Sequence, residues 1–177
     1  GMGINSLEVV FPHVATTANV LYENRLRKSL AQHMIGLGFQ EVFSLALTSH
    51  QEQFAHMNID EKPHIKLGHA QEQSINMVRC WLLPETLKSF VHNRNKEYPQ
   101  HIFEIGSVVI PADNDVQSVN KDVFTCAIAD ANATFTSIAQ VLQNVCQIFG
   151  VNYSVKNQQH DSFLAGRCAQ ILIEKTP

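Results

Sequence analysis

Two strand-forming runs stand side by side in this chain, "IFEIGSVVI" at about 102–110 and "VFTCAIAD" at 123–130, with only the polar loop "PADNDVQSVNK" between them. A second pair follows near the end, "NYSVK" and "CAQILIE", and short extended segments at 64–67 and 74–78 form a third. Strand pairs with no helix between them exclude a regular parallel βαβ wind. They predict a mostly antiparallel sheet with helices packed on it, an α+β fold.

The helices are legible from spacing. Residues 21–37 place Leu26, Leu30, Met34 and Leu37 on one stripe, with Arg25, Arg27 and Lys28 mostly off it, and Gly36 and Gly38 suit the end of such a helix. "FQEVFSLALT" then alternates Phe39, Phe43, Leu45 and Leu47 as one strand, and Ser49 precedes Glu52 by three, a capping box ahead of Phe54 and Met57. Pro84 opens a helix whose apolar side reads Leu87, Phe90 and Val91. A third helix at 134–149 carries Phe135, Ile138, Leu142, Val145 and Phe149, with Gly150 as its stop. "VFTCAIAD", apolar on both faces, reads as a central strand.

A chain of 177 residues with 45% apolar content supports one hydrophobic core. We divide it into an N-terminal extension at 1–20, with Gly1 ahead of Met2 as a cloning remnant, and a core domain at 21–177 that stops on a strand as if cut from a longer protein. The net charge of −3 argues against nucleic-acid binding through a dominant basic surface, and a charged fraction of 16% is low enough to suggest a surface covered by a partner. Cys80, Cys126, Cys146 and Cys168 show no metal or CxxC spacing and read as free thiols of a reducing compartment. No run of about 18 apolar residues is present. The expectation is a soluble cytoplasmic protein with no membrane partner.

Most candidate chemistry dissolves on inspection. The nine histidines form no HxH or HxxxH pair, and the nearest two, His64 and His69, flank a turn. "GLGF" follows a helix rather than a strand, the wrong orientation for a phosphate loop. "HDS" at 160–162 holds the residue types of a hydrolase triad, but adjacent side chains cannot adopt its geometry. More specific is "MVRCWLLPETL", where Arg79 ends a strand and Pro84 opens a helix.

"GLGFQEVFSLALTS", "VRCWLLPETLKSFVHNRNKEYPQHIFEIGSVV" and "SFLAGRCAQILI" together resemble the synthetase-like core domain of phenylalanyl-tRNA synthetase beta subunits, in their archaeal and eukaryotic form. The resemblance runs in order from about Leu21 to Ile173. "LGHAQEQ" at 67–73 departs from it, since family members usually carry an Asn-Pro pair there. It implies a class II aminoacyl-tRNA synthetase fold, an antiparallel sheet flanked by helices. The helix at 21–37 and the strand from Phe39 then match the first class II motif, which builds the subunit interface, with Leu26, Leu30, Met34 and Leu37 as its apolar surface. Obligate interfaces commonly bury about 2,000–5,000 Å². The alternative is that this stripe covers the protein's own sheet.

The same resemblance implies that this chain is not catalytic. Catalytic class II members neutralise the ATP α-phosphate with an arginine just after the glycine that matches Gly106, a contact worth roughly 1.5–3 kcal/mol in binding alone. Here those positions are Ser107, Val108, Val109, Ile110 and Pro111, and no arginine or lysine occurs from 97 to 120. The third class II motif has no counterpart before Pro177. The expectation is a structural domain with no cofactor of its own, pairing with an alpha subunit that uses ATP, magnesium, phenylalanine and its tRNA; tRNA is met by the whole assembly. The competing readings are a free-standing paralogue acting as a scaffold, as a homodimer, and an autonomous adenylate-forming enzyme, which would need the missing arginine. Glu104 shares a face with Ile102 and Gly106, and a buried acid needs a partner, so Arg79 or Arg167 should pair with it.

Overall fold

The computed structural model describes residues 6, 8, 10–11, 17–68 and 74–173. Three helices, α1 (Tyr22–Gly36), α2 (Leu83–His92) and α3 (Phe135–Ile148), accompany seven strands. The strands are β1 (Gln40–Glu41), β2 (Leu47–Thr48), β3 (Met77–Val78), β4 (Gln100–Pro111), β5 (Ser118–Ala129), β6 (Tyr153–Asn157) and β7 (Ala169–Ile173). They form a three-stranded sheet in the order β1-β4-β5 and two separate antiparallel pairs, β2–β3 and β6–β7. The architecture is a mixed α+β one.

β4 and β5 dominate it. Their antiparallel register runs unbroken from Gln100 opposite Ala129 to Pro111 opposite Ser118, so the loop between them is much shorter than the sequence suggests. β1 adds to β4 in parallel, with Gln40 opposite Ile102 and Glu41 opposite Phe103. β4 is therefore the central strand, and β5 lies at the edge of the sheet. The apolarity of both faces of β5 predicts a central strand. It reflects cover above and below the strand, since among the described residues β5 has no second hydrogen-bonded neighbour.

One face of the sheet carries the core. Met34, Phe39, Phe103, Ile105 and Val141 form its buried centre, with Leu30, Leu37, Phe124, Cys126 and Val145 packed around them. α1 reaches this core and then stops where Gly38, at φ +83°, takes the left-handed conformation that returns the Phe39 N–H to the Met34 carbonyl (3.0 Å). Arg27 fastens α1 to the sheet through the Ile105 carbonyl (2.9 Å) and Asp122 (3.3 Å). α3 starts on a capping box between Thr134 and Ser137.

Two local readings need correction. "FQEVFSLALT" is not one strand: it is β1, an extended stretch, and β2. The stretch leaves the ladder at Ser44 because its backbone bonds are taken by side chains of other segments, as set out below. Phe43 and Leu45 are consequently 85% and 70% exposed. On α2 the buried residues are Pro84, Glu85 and Thr86, with Leu82 just ahead, while Val91 is exposed. Glu85 is held inward because its carboxylate accepts the hydroxyl of buried Thr48 on β2. After Ser49, whose hydroxyl accepts the Glu52 N–H (3.2 Å), the chain makes a single π-helical turn, Gln51–Ala55. Glu52 does not reach back to close the box; it pairs with Lys88 (3.0 Å) and His56 (3.0 Å).

Candidate functional site

The face of β4 opposite the main core carries Glu104, Gly106 and Val108, and the residue that organises it is Arg79. The Arg79 N–H donates to the Ala46 carbonyl (2.8 Å) and its carbonyl accepts the Val109 N–H (3.0 Å), which clamps the backbone between two segments. The side chain then lies across β4. Nη1 meets Glu104 Oε1 at 2.8 Å and donates to the Ser44 hydroxyl (2.8 Å) and carbonyl (3.2 Å), and Nε donates to the Ser107 carbonyl (2.9 Å).

Glu104 is equally well supplied. Its Oε1 also accepts the Ser44 N–H (3.2 Å), and Oε2 accepts the Ser44 hydroxyl (2.6 Å). Arg79 is 3% exposed and Glu104 1%. Two opposite charges this deeply buried are tolerated only with close pairing and satisfied lone pairs, and both conditions hold. Ser44 closes the ring by donating to the acid while accepting from the arginine. This triangle explains the glycine two places after Glu104: a Cβ on Gly106 would stand 2.4 Å from Arg79 Nη2.

Arg79 and Glu104 are thus brought together, whereas Arg167 is not part of the centre. Arg167 is exposed in the turn before β7, where its N–H bonds the Leu164 carbonyl (3.0 Å). The helical stripe is divided between the chain's own core and an apolar groove. Met34 is fully buried and Leu30 and Leu37 pack on the chain's own core, while Leu26 lines an apolar groove beside α3. Met34 has no surface left to offer a second protein, whereas Leu26 and Leu30 are half-buried and line that groove. Exposed apolar residues of α1 and the segment after it include Tyr22 and Ile35 on the helix and the row Phe43, Leu45 and Leu47 beyond it.

Several contributors lay beyond sequence reasoning. Ser44 sits in a stretch read as strand face, and nothing in its spacing marks it. Lys121 is the cross-strand neighbour of Val108 and exposed, one place past the cation-free window. Gln53 is fully buried, and its Oε1 accepts the Cys80 and Trp81 N–H groups (3.1 and 2.9 Å), tying the π-helical turn to the start of α2.

Among the described residues no group of three or more metal-ligating side chains occurs, and His69 and most of the departure at 67–73 lie outside them. His160 Nδ1 accepts the Ser162 N–H (3.2 Å) and the Ser162 hydroxyl donates to the Met57 carbonyl, so "HDS" is a loop and not a relay. The four cysteines are free, and burial pushes the Cys126 thiol up to about 11. No described helix is long and apolar enough to cross a membrane.

Comparison with known proteins gives this geometry a setting. The family model of the phenylalanyl tRNA synthetase beta chain CLM domain matches residues 7–177. The chain is 31% identical over 177 residues to the phenylalanine–tRNA ligase beta subunit of Thermococcus sibiricus, covering 97% of this chain and 31% of that subunit. It is 28% identical over 172 residues to the same subunit of Pyrococcus abyssi, and 30% over 175 residues to that of Methanocella arvoryzae, again covering 97% of this chain and 31% and 32% of theirs. The chain spans about a third of the length of the curated relatives it matches.

Proposed function

The chain belongs to the phenylalanyl-tRNA synthetase beta-chain CLM-domain family, and we propose that it acts there as a non-catalytic, class II synthetase-like structural domain that assembles with the catalytic alpha subunit. The observation that carries this reading is the engagement of Arg79. On the face of β4 where a class II enzyme would meet phosphate, Arg79 is the buried cation, and it donates to Glu104, Ser44 and Ser107. A guanidinium committed in this way cannot also neutralise charge developing on a phosphate. ATP, magnesium, phenylalanine and tRNA acceptance then belong to the partner and the assembly.

The surface for assembly is the exposed row Phe43, Leu45 and Leu47, at alternate positions of the segment that follows α1. Contiguous exposed apolar side chains on a soluble domain commonly mark contact sites. Sedimentation of the chain with the matching alpha subunit tests the reading, with a heteromeric species expected. Phe43→Asp with Leu45→Asp should abolish that species and leave the fold intact. Absence of association, or self-association in its place, overturns the assignment. Phenylalanine-dependent exchange of pyrophosphate into ATP by the isolated chain would overturn its non-catalytic part.

A further inference from the structure

On the far side of the Arg79 centre, a cleft of about 260 Å³ opens between the π-helical turn, the loop after it and the segment leading into α2. Gln53 and Phe54 form its floor, and Lys62, Trp81, Ile110 and His160 stand around it. We propose that this cleft binds a small carboxylate carried on a flat apolar body.

The polar lining is made of donors. Gln53 Oε1 accepts two backbone N–H groups, which fixes the amide orientation and turns Nε2 away from them; Nε2 is buried with no partner among the described residues. His160 accepts the Ser162 N–H at Nδ1, so its neutral ring carries the proton on Nε2. Lys62 lines the cleft together with Cys80 and supplies a positive charge there. Among the described residues no aspartate or glutamate lines it. A donor-only lining with one full positive charge selects an anionic acceptor. It disfavours a zwitterion, whose ammonium would find no carboxylate.

The walls supply the rest. Trp81 and His160 rings are 5.6 Å apart, and Phe163 backs His160 at 5.3 Å, which gives a flat group an aromatic surface to lie on. The volume falls below the roughly 300–1,000 Å³ typical of drug-sized sites, which favours a molecule the size of benzoate over a nucleotide. The proposal is independent of assembly with an alpha subunit.

Trp81 is the chain's single tryptophan, so its indole N–H resonance reports on the cleft without ambiguity. Titration with benzoate should move that resonance saturably. Benzamide, of the same shape but uncharged, should bind about tenfold more weakly, as expected for loss of one charge-assisted hydrogen bond. Lys62→Gln, an exposed position, should weaken benzoate by a similar factor and leave benzamide unchanged. Phenylalanine should bind more weakly than benzoate. No saturable shift with benzoate, equal affinities for benzoate and benzamide, or a Lys62→Gln variant that binds benzoate like the parent would each overturn the proposal.

Discussion

Replacement of Arg79 by methionine would leave the Glu104 carboxylate 1% exposed with only the N–H and hydroxyl of Ser44 as donors. The lost contacts are the 2.8 Å ion pair and the bonds to the Ser107 carbonyl and to Ser44. Breaking a buried pair by removing one partner costs about 3–5 kcal/mol, because an uncompensated charge remains in the interior. For a domain of this size each kcal/mol lowers the melting temperature by about 2–4 °C, so the drop should be roughly 6–20 °C. Glu104→Gln strands the guanidinium instead and should fall in the same range. The double variant Arg79→Met with Glu104→Met removes both charges, and its loss should be smaller than the sum of the two single losses by several kcal/mol. Urea unfolding followed by Trp81 fluorescence and by circular dichroism measures all three. Single variants within about 1 kcal/mol of the parent, or strictly additive losses, would refute the view that this pair holds the domain together.

Gly106→Ala should destabilise by about 1–3 kcal/mol through overpacking, and by much less in the Arg79→Met background, where the atom it would strike is gone. Met34→Ala should cost the isolated chain about 2–5 kcal/mol in denaturant melts, as expected of a core residue; no loss would return α1's stripe to an interface role. Gln53→Leu strands the Cys80 and Trp81 N–H groups and should cost about 1–3 kcal/mol for each buried donor left unpaired. Burial raises the Cys126 thiol from the model-compound value of 9.0 to about 11. The folded state therefore holds a proton between those values that the unfolded chain releases, and stability should fall as pH rises through this window, by at most about 1.4 kcal/mol per unit. Cys126→Ala should flatten that fall, as measured by urea midpoints from pH 8.5 to 11.

Much of the fold is legible where periodicity and local chemistry agree. α1 and α3 follow from their three-and-four spacing, and β4 and β5 from their runs of branched and aromatic residues. Glu104 stands out because an acid in such a run requires a counter-charge, and the strand end at Arg79 supplies one. The misreadings share a cause, which is that side chains from distant segments decide the local structure. Ser44 draws its stretch out of the sheet by bonding Glu104, sixty residues away. Thr48 turns Glu85 inward, so α2 buries a face that its apolar residues do not mark. Gln53 is invisible in sequence because a buried amide has no periodicity of its own. The stripe of α1 is apolar in either role, so its spacing alone does not reveal that Met34, Leu30 and Leu37 meet the chain's own core.

The edge position of β5 has a consequence for handling the domain. Among the described residues no strand pairs with its outer side, and from Val123 to Ala129 it carries neither a charge nor a proline. Such a run on an open edge is a template for pairing with other chains and a hazard for amyloid-like growth. Lys121 and Asp122 before the run and Asp130 after it are placed as gatekeepers, interrupting any longer uncharged stretch. Solubility of the isolated domain should accordingly depend on those three charges far more than on net charge.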